Sequence, residues 1–317
     1  MSESSASPRF SAIVPTHARF DLLARTLDRL LACEPAPAEI LVHVDAGNTA
    51  LRDAVIARYP QVRCLFSETR LGPGGSRNRL LAAAGHDWVA SFDDDSYPAQ
   101  ADWFARAAEL VRAFPEAAVF SAASHAPEWQ SLQLRRIAVF SGCGCVFHKP
   151  WFLRTGGFVP LAIAYGMEEV DLSLQLHALG GRIIHDPLLR VNHEPAPDRP
   201  LPGPQVAALG LVNTLLLPWL RYPVALWPVG LLQGLSKIRW MLAHGQGGAV
   251  LPGLRLAPDV LREHAARVQR VPVRRLLSWL RLRRRPQDLG DARALGHGFR
   301  GTTASSLETA SSLETAS

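Results

Sequence analysis

The stretch Trp88-Val89-Ala90-Ser91-Phe92-Asp93-Asp94-Asp95-Ser96-Tyr97-Pro98 decides the fold. Its first residues are mostly apolar and read as a buried strand. Three consecutive carboxylates follow where that strand emerges, and Ser96 and Pro98 stop it. Such charge is not buried unpaired. In open α/β sheets, ligands sit in the crevice beyond the carboxyl ends of the strands, so acids at this point suit a hard cation holding phosphate oxygens. Taken alone the triplet reads equally well as a solvated acidic turn, so its meaning depends on the rest of the chain.

Upstream of it, strand and helix alternate. Residues 10–14 form a short apolar strand ending at Pro15-Thr16. Over 19–33, Phe20, Leu22, Leu23, Leu27, Leu30 and Leu31 recur at helical spacing. A second strand at 40–44 ends in Asp45-Ala46-Gly47-Asn48, a turn carrying a carboxylate. A helix over 51–59, a strand over 62–66 and a helix over 73–84 follow, with Pro73 suited to a first helical turn. This order predicts an α/β fold: a Rossmann-like, mostly parallel central sheet flanked by helices. Gly72-Pro73-Gly74-Gly75-Ser76 lacks the Lys-Ser/Thr of a P-loop and the spacing of a dinucleotide fingerprint, and reads as a tight strand-to-helix turn. Arg77 and Asn78, in the first helical turn after it, would point back towards the ligand edge of the sheet, with a solvated surface position the equal alternative for each.

The chain is long enough for a full core: 317 residues, 48% hydrophobic and 20% charged, a globular balance. Its net charge of +6 is uneven, with acidic clusters before residue 200 and basic residues crowded between Arg262 and Arg300. That asymmetry suits an anionic partner, a membrane surface or nucleic acid. Cys33, Cys64, Cys143 and Cys145 form no metal-type pairs and read as small buried residues in a reducing compartment. The N-terminus has no apolar stretch of signal-peptide kind, which leads us to expect a cytoplasmic catalytic part. At the other end, Ser305-Ser306-Leu307-Glu308-Thr309-Ala310-Ser311 is repeated almost at once through Ser317, as in a disordered tail, and is set aside. Four regions are expected: a flexible 1–8, a catalytic domain over 9–200, a helical region over 201–300 and the tail 301–317.

A second acidic cluster lies further on. After an amphipathic helix over 103–114 and a strand over 117–122, residues 137–147 mix β-formers with small residues such as Gly142 and Gly144, as where a backbone approaches a ligand closely. Gly156-Gly157-Phe158 follows, then Tyr165-Gly166-Met167-Glu168-Glu169-Val170-Asp171-Leu172. From Glu169 the apolar spacing is helical, placing Glu168 and Glu169 at a helix N-terminus. Acids there complement the dipole or serve as a general base, and position alone does not decide between the two. Strand-like residues 182–185 and 188–191 lead to Asn192-His193-Glu194, where His193 is a candidate ligand if a metal is near.

The order of these pieces resembles the family 2 glycosyltransferases with a GT-A fold, over about residues 10–194. Ile13-Val14-Pro15-Thr16-His17-Ala18-Arg19 resembles the opening strand and Pro-Thr-x-x-Arg turn of that family. Asp45 is similar to its nucleobase- or ribose-contacting carboxylate, Arg77-Asn78 to its Arg-Asn pair, and Asp93-Asp94-Asp95 with Pro98 to its D-x-D metal motif. Gly156-Gly157-Phe158, Glu168-Glu169-Val170-Asp171-Leu172 and His193 resemble the segments that close the domain. Two departures stand out: Ala18 replaces a common Asn, and Glu169 replaces a common Asp. The resemblance implies an inverting, metal-dependent transfer of a sugar from a nucleotide-diphosphate donor to a hydroxyl of a glycan or lipid-linked acceptor, with Mn²⁺ or Mg²⁺ as cofactor and no nucleic acid as partner. It implies nucleotide-sugar contacts from Pro15, Thr16, Arg19, Asp45, Arg77, Asp93 and Asp94. Metal ligation falls to Asp95 with Asp93 and His193, and an acceptor side is implied at Gly142, Gly144 and Glu168. Asp94 is expected to turn towards backbone capping or solvent. The base is open among Glu169, Glu168 and Asp171, with Glu169 preferred. A nucleotidyltransferase or phosphatase would explain the acids but not the segment from Gly156 to His193. A non-catalytic membrane-binding protein would explain the basic end but not the acids.

The last third is different material. Over 206–235 the chain is strongly apolar but is interrupted by Pro218, Arg221, Pro223 and Pro228, which argues against a membrane span. Short interfacial helices anchored by Trp219, Tyr222, Trp227 and Trp240 fit better, with an Arg-rich amphipathic helix over 271–282 facing anionic lipid on the inner face of the cell membrane. The alternative is that 206–242 completes the core or a homo-oligomer interface while the arginines are solvated.

Overall fold

The computed structural model describes residues 7–124, 126–161, 167–194 and 203–295. Most of the expected flexible N-terminus, Tyr165-Gly166 and the repeated tail lie outside the described residues. The elements run β1 (Phe10–Thr16), α1 (Phe20–Leu31), β2 (Glu39–Val44), α2 (Thr49–Arg58), β3 (Arg63–Phe66), α3 (Gly72–Ala83), β4 (Trp88–Ser91) and β5 (Ser96–Pro98). Next come α4 (Trp103–Ala113), β6 (Ala117–Ala123), α5 (Ala126–Trp129), β7 (Gln133–Ile137), β8 (Cys145–His148), α6 (Lys149–Leu153), α7 (Met167–Ala178) and β9 (Arg182–His193). The chain ends with α8 (Pro204–Arg221), α9 (Trp227–Ala243), α10 (Val250–Glu263), α11 (Val273–Arg284) and β10 (Gln287–Asp291).

The main sheet has the order β10-β7-β9-β6-β8-β4-β1-β2-β3. It is mixed rather than mostly parallel. Strands β4, β1, β2 and β3 run parallel, whereas β8 lies antiparallel between β4 and β6. In-and-out alternation along β1 serves two cores. Ala12 and Val14 pack with Leu23, Leu27 and Leu30 of α1, while Ile13 on the other face packs with Leu80 of α3 and Leu172 of α7. Because β1, β2 and β4 are in parallel register, Thr16, Val44 and Ser91 end at one edge. That edge carries the site.

The C-terminal region departs from the expectation in three ways. First, it is not all helical: β10 returns to the sheet and pairs antiparallel with β7. Second, α11 does not present its apolar side to a membrane. Leu276, Trp279 and Leu282 are buried with Leu174 of α7 and Leu216 and Leu220 of α8, and Trp279 Nε1 donates to the Ala138 carbonyl at 2.9 Å. Truncating such a buried tryptophan costs about 3–5 kcal/mol. Third, of the expected aromatic anchors only Trp240 is at the surface. Tyr222 is fully buried and donates to Gln233, and Trp219 and Trp227 lean on each other with ring centres 5.9 Å apart. Their rings complete the core because α8 lies directly on α7 rather than apart from the catalytic domain.

Candidate active site

Strand β4 delivers the acidic turn, and Ser96 closes it from both ends. The Asp93 amide donates to Ser96 Oγ at 2.8 Å, and the Ser96 amide donates to the Asp93 carbonyl at 3.1 Å. Strand β5 then pairs antiparallel with β9, setting Ser96 opposite His193. The Glu194 amide donates to the Asp95 carbonyl at 2.9 Å. This ladder brings a histidine from far along the chain to the triplet. Asp93, Asp95 and His193 each offer a ligand atom within 4.8 Å of the others, and His193 Nε2 lies 3.4 Å from Asp95 Oδ1. Burial works against the Asp95 carboxylate, but His193 and Arg19 outweigh it and hold its pKa below the ordinary value. Two carboxylates and an imidazole form a donor set that fits Mn²⁺ or Mg²⁺.

Asp94 does not turn to solvent. It is buried, accepts from Thr16 Oγ1 at 2.9 Å, and is ion-paired with Arg19. Arg19 also donates through Nη1 to Asp95 Oδ2 at 2.8 Å. The middle carboxylate therefore tethers a half-exposed arginine at the rim of the metal group. Pro15 is buried in β1, next to Thr16. Asp45 is buried as well. Its oxygens accept from Ser67 Oγ and from the Leu71 and Gly72 amides at 2.8–3.1 Å. Burial raises its pKa, yet these donors more than compensate and the carboxyl is held low. It shapes the loop before α3, with both oxygens already engaged.

Arg77 lies behind the triplet at 2% exposure. It is ion-paired with Asp93, donates through Nη1 to Glu168 Oε1 at 3.0 Å, and stands over the Phe158 ring at 5.8 Å. Burial opposes its charge, but Asp93, Glu168 and Glu169 around it keep it protonated. It is a bridge between the two acidic clusters, not a surface residue. Asn78 clamps the glycine loop instead: its Nδ2 donates to the Phe158 carbonyl and its Oδ1 accepts from the Phe158 amide, both at 2.9 Å.

The three candidates for the base separate by environment. Asp171 is fully buried and accepts from Arg221 Nε at 2.5 Å, Arg221 Nη2 at 2.9 Å and Gln175 Nε2 at 2.7 Å. With both oxygens occupied it is a structural anchor, which removes it as a base. Glu168 points inward to Arg77, and a Cβ on Gly74 would fall 2.5 Å from its Oε2. Burial lifts its pKa to about 8 against the pull of Arg77. Glu169 is only partly buried, and its Oε1 fills the space where a Cβ on Gly142 would sit. Its Oε2 has no hydrogen-bond partner, and burial raises its pKa, with Arg77 opposing. Gly144 has a structural reason to be glycine: it is buried, its φ is +75°, and a side chain there would collide with Val191. Sequence reasoning missed Ser96 and Arg221, whose roles depend on partners distant along the chain.

Residues 11–160 match the model of glycosyl transferase family 2. This part of the chain is a family 2 glycosyl transferase domain. The chain is 31% identical over 90 residues to the succinoglycan biosynthesis protein ExoO of Rhizobium meliloti, a match spanning 28% of this chain and 26% of that relative's length. The fold of the glycosyl transferase domain is that of GT-A enzymes. It is similar to a mannosyltransferase from Pyrobaculum calidifontis solved with GDP-Man and Mn²⁺, at TM-score 0.52 and 16% identity over 89% of this chain and 88% of that one. It is also similar to GalNAc-T7 solved with UDP, GalNAc and Mn²⁺, at TM-score 0.53 and 15% identity over 70% and 49%.

Proposed function

We propose that the chain is an inverting, metal-dependent glycosyltransferase that moves a sugar from a nucleotide-diphosphate donor to a hydroxyl of a glycan or lipid-linked acceptor. The observation that carries this reading is the pairing of two poles across Arg77: the Asp93, Asp95 and His193 group on one side and Glu169, whose Oε2 has no hydrogen-bond partner, on the other. Asp95, Asp93 and His193 would hold Mn²⁺ or Mg²⁺, which when bound neutralises charge developing on the diphosphate leaving group. Arg19, tethered at the rim by Asp94, adds a guanidinium on the same side. Glu169 accepts the proton of the attacking hydroxyl, and its raised pKa brings it closer to neutrality, where a general base works best. A base on the side opposite the diphosphate suits a single displacement with inversion. The four cysteines are free, in keeping with work on the cytoplasmic side of a membrane.

A thermal-shift panel of nucleoside diphosphates and sugar nucleotides, with and without Mn²⁺, tests this. Stabilisation by one nucleotide only in the presence of metal is expected. No response to any nucleotide with metal would overturn the reading.

A further inference from the structure

We propose that the exposed flanks of α9 and α10, two helices that both pack on α8, form a docking face for an anionic lipid bilayer, entered along one leaflet. The two helices are arranged with their small residues inward and their large apolar residues outward. On α9, Gly230 and Gly234 face α8 so closely that a Cβ would come within 2.5 Å of Pro218 and 2.8 Å of Leu215. On α10, Gly253 lies against Ala208, where a Cβ would come within 2.8 Å of its carbonyl oxygen. The outward flank carries Val224, Leu231, Leu232, Leu235, Leu242 and Leu251, each between 55% and 65% exposed. On α9, Leu231, Leu235 and Leu242 fall at helical spacing with Leu232 beside them, and Arg239 interrupts the row, so the exposed leucines share one flank of the helix rather than being scattered. Nine of the fifteen exposed large apolar side chains among the described residues fall between 224 and 256. A helix that packs through glycine and shows leucine outward has the pattern of helices whose surroundings are as apolar as leucine itself.

Charge says which apolar surroundings. Between Asp198 and Asp259 the chain has no acidic residue, while Lys237, Arg239 and Arg255 lie on the two helices. The Lys237 ammonium stands 4.3 Å from the centre of the Trp240 ring, and Trp240 is exposed. A basic side chain over an exposed indole beside a leucine stripe suits the headgroup level, with the ammonium reaching phosphate while the stripe enters the acyl boundary. No described helix is long and apolar enough to cross a membrane, so contact is made along the flanks. The face is also tied to the base. Where α8 ends and the chain turns to α9, Arg221 is paired with Asp171 of α7, the helix that begins with Glu168 and Glu169. Docking there would hold the base helix at the bilayer. That last step, which favours a lipid-anchored hydroxyl as acceptor, rests on the transferase reading above.

The test is sedimentation of the full chain with vesicles of phosphatidylcholine alone and of phosphatidylcholine with phosphatidylglycerol, without donor or metal. The expected result is pelleting with the anionic vesicles that weakens as salt is raised. Leu231→Ser with Leu235→Ser should lower the apparent affinity at least about tenfold while leaving the thermal midpoint and nucleotide response unchanged. Lys237→Gln with Arg239→Gln and Arg255→Gln should remove the preference for anionic vesicles. The proposal is overturned if the wild type stays in the supernatant with both vesicles, or if the leucine variant pellets as well as the wild type. It is overturned equally if light scattering shows a dimer that the leucine variant disperses while neither protein binds vesicles, because the face then belongs to a second copy. Since the measurement needs no donor, its failure leaves the transferase reading standing, and failure of the nucleotide panel leaves the docking face standing.

Discussion

Arg221 grips Asp171 through Nε at 2.5 Å and Nη2 at 2.9 Å, with both side chains almost completely buried. The pair joins the last residue of α8 to the first turns of α7, two positions beyond Glu169. Arg221→Met strands the Asp171 charge in the core, and breaking such a pair costs about 3–5 kcal/mol. Asp171→Asn combined with Arg221→Met removes the stranded charge and should recover most of that loss. Urea unfolding of the wild type and the two variants measures it. Equal destabilisation by the single and double variants would show that the charge is not the source of the cost.

Glu169→Gln should retain metal-dependent nucleotide stabilisation and lose transfer by at least about a hundredfold, the scale of a general base. Glu168→Gln keeps an acceptor for Arg77 Nη1 and should lower transfer by less than about tenfold, because it alters the strength of one hydrogen bond rather than the proton acceptor. Steady-state rates with the donor identified by the nucleotide panel check both. Wild-type transfer by Glu169→Gln would end its assignment as base.

Glu168 also leaves a signature in stability against pH. Burial lifts its carboxyl from 4.5 to about 8, so the folded state binds this proton more tightly than the unfolded state does. Its stabilising contribution is therefore complete below pH 4.5 and is lost as pH rises towards 8, with a slope of at most about 1.4 kcal/mol per pH unit. Unfolding free energies of the metal-free protein across that range should fall less steeply in Glu168→Gln than in the wild type. Identical slopes would contradict the raised pKa.

Gly142→Ala tests the seat of the base. The added Cβ collides with Glu169 Oε1 and comes within 3.4 Å of Arg77 Nη2, so the carboxylate must move. A displacement of about 1 Å at a reacting group costs on the order of a hundredfold in rate. The expected outcome is a fall in kcat of that size with donor KM and the thermal midpoint little changed. An unchanged kcat would mean that Glu169 works from another position.

The division between what the sequence shows and what it hides follows the range of the interactions. Strands and helices through α4, apart from β5, are visible because their apolar spacing is local, whereas β5 at Ser96–Pro98 reads as a strand stop and exists through its pairing with β9. Asp93, Asp95, Glu169 and His193 are visible because each sits at the end of an element. The burial of Asp94 is hidden, since it depends on Thr16 and Arg19 from β1 and the turn after it. So is the fate of Asp171, whose partner Arg221 belongs to a segment that reads as interfacial until its packing is known. Strand β10, Gln287-Asp288-Leu289-Gly290-Asp291, is short, polar and contains glycine, and nothing but its pairing with β7 makes it a strand. Hydrophobicity alone identifies α9 as apolar without saying that its leucines face outward. That direction is set by Gly230 and Gly234, which admit α8 on the other side.

The acidic triplet is asymmetric, and substitution should reveal it. Asp95→Asn removes a carboxylate that faces both His193 and Arg19, and should abolish the Mn²⁺-dependent part of nucleotide stabilisation. His193→Ala leaves the two carboxylates and should raise the Mn²⁺ concentration needed by about ten- to a hundredfold. Asp94→Asn keeps the metal group intact but weakens the tether on Arg19, so the metal response should survive at lower overall stability. Thermal shifts at fixed nucleotide over a Mn²⁺ series separate the three. A variant set in which Asp94→Asn abolishes the metal response and Asp95→Asn spares it would reverse the assignment. Asp94, buried against Thr16 and Arg19, would then have to turn through the strand end to reach the cation.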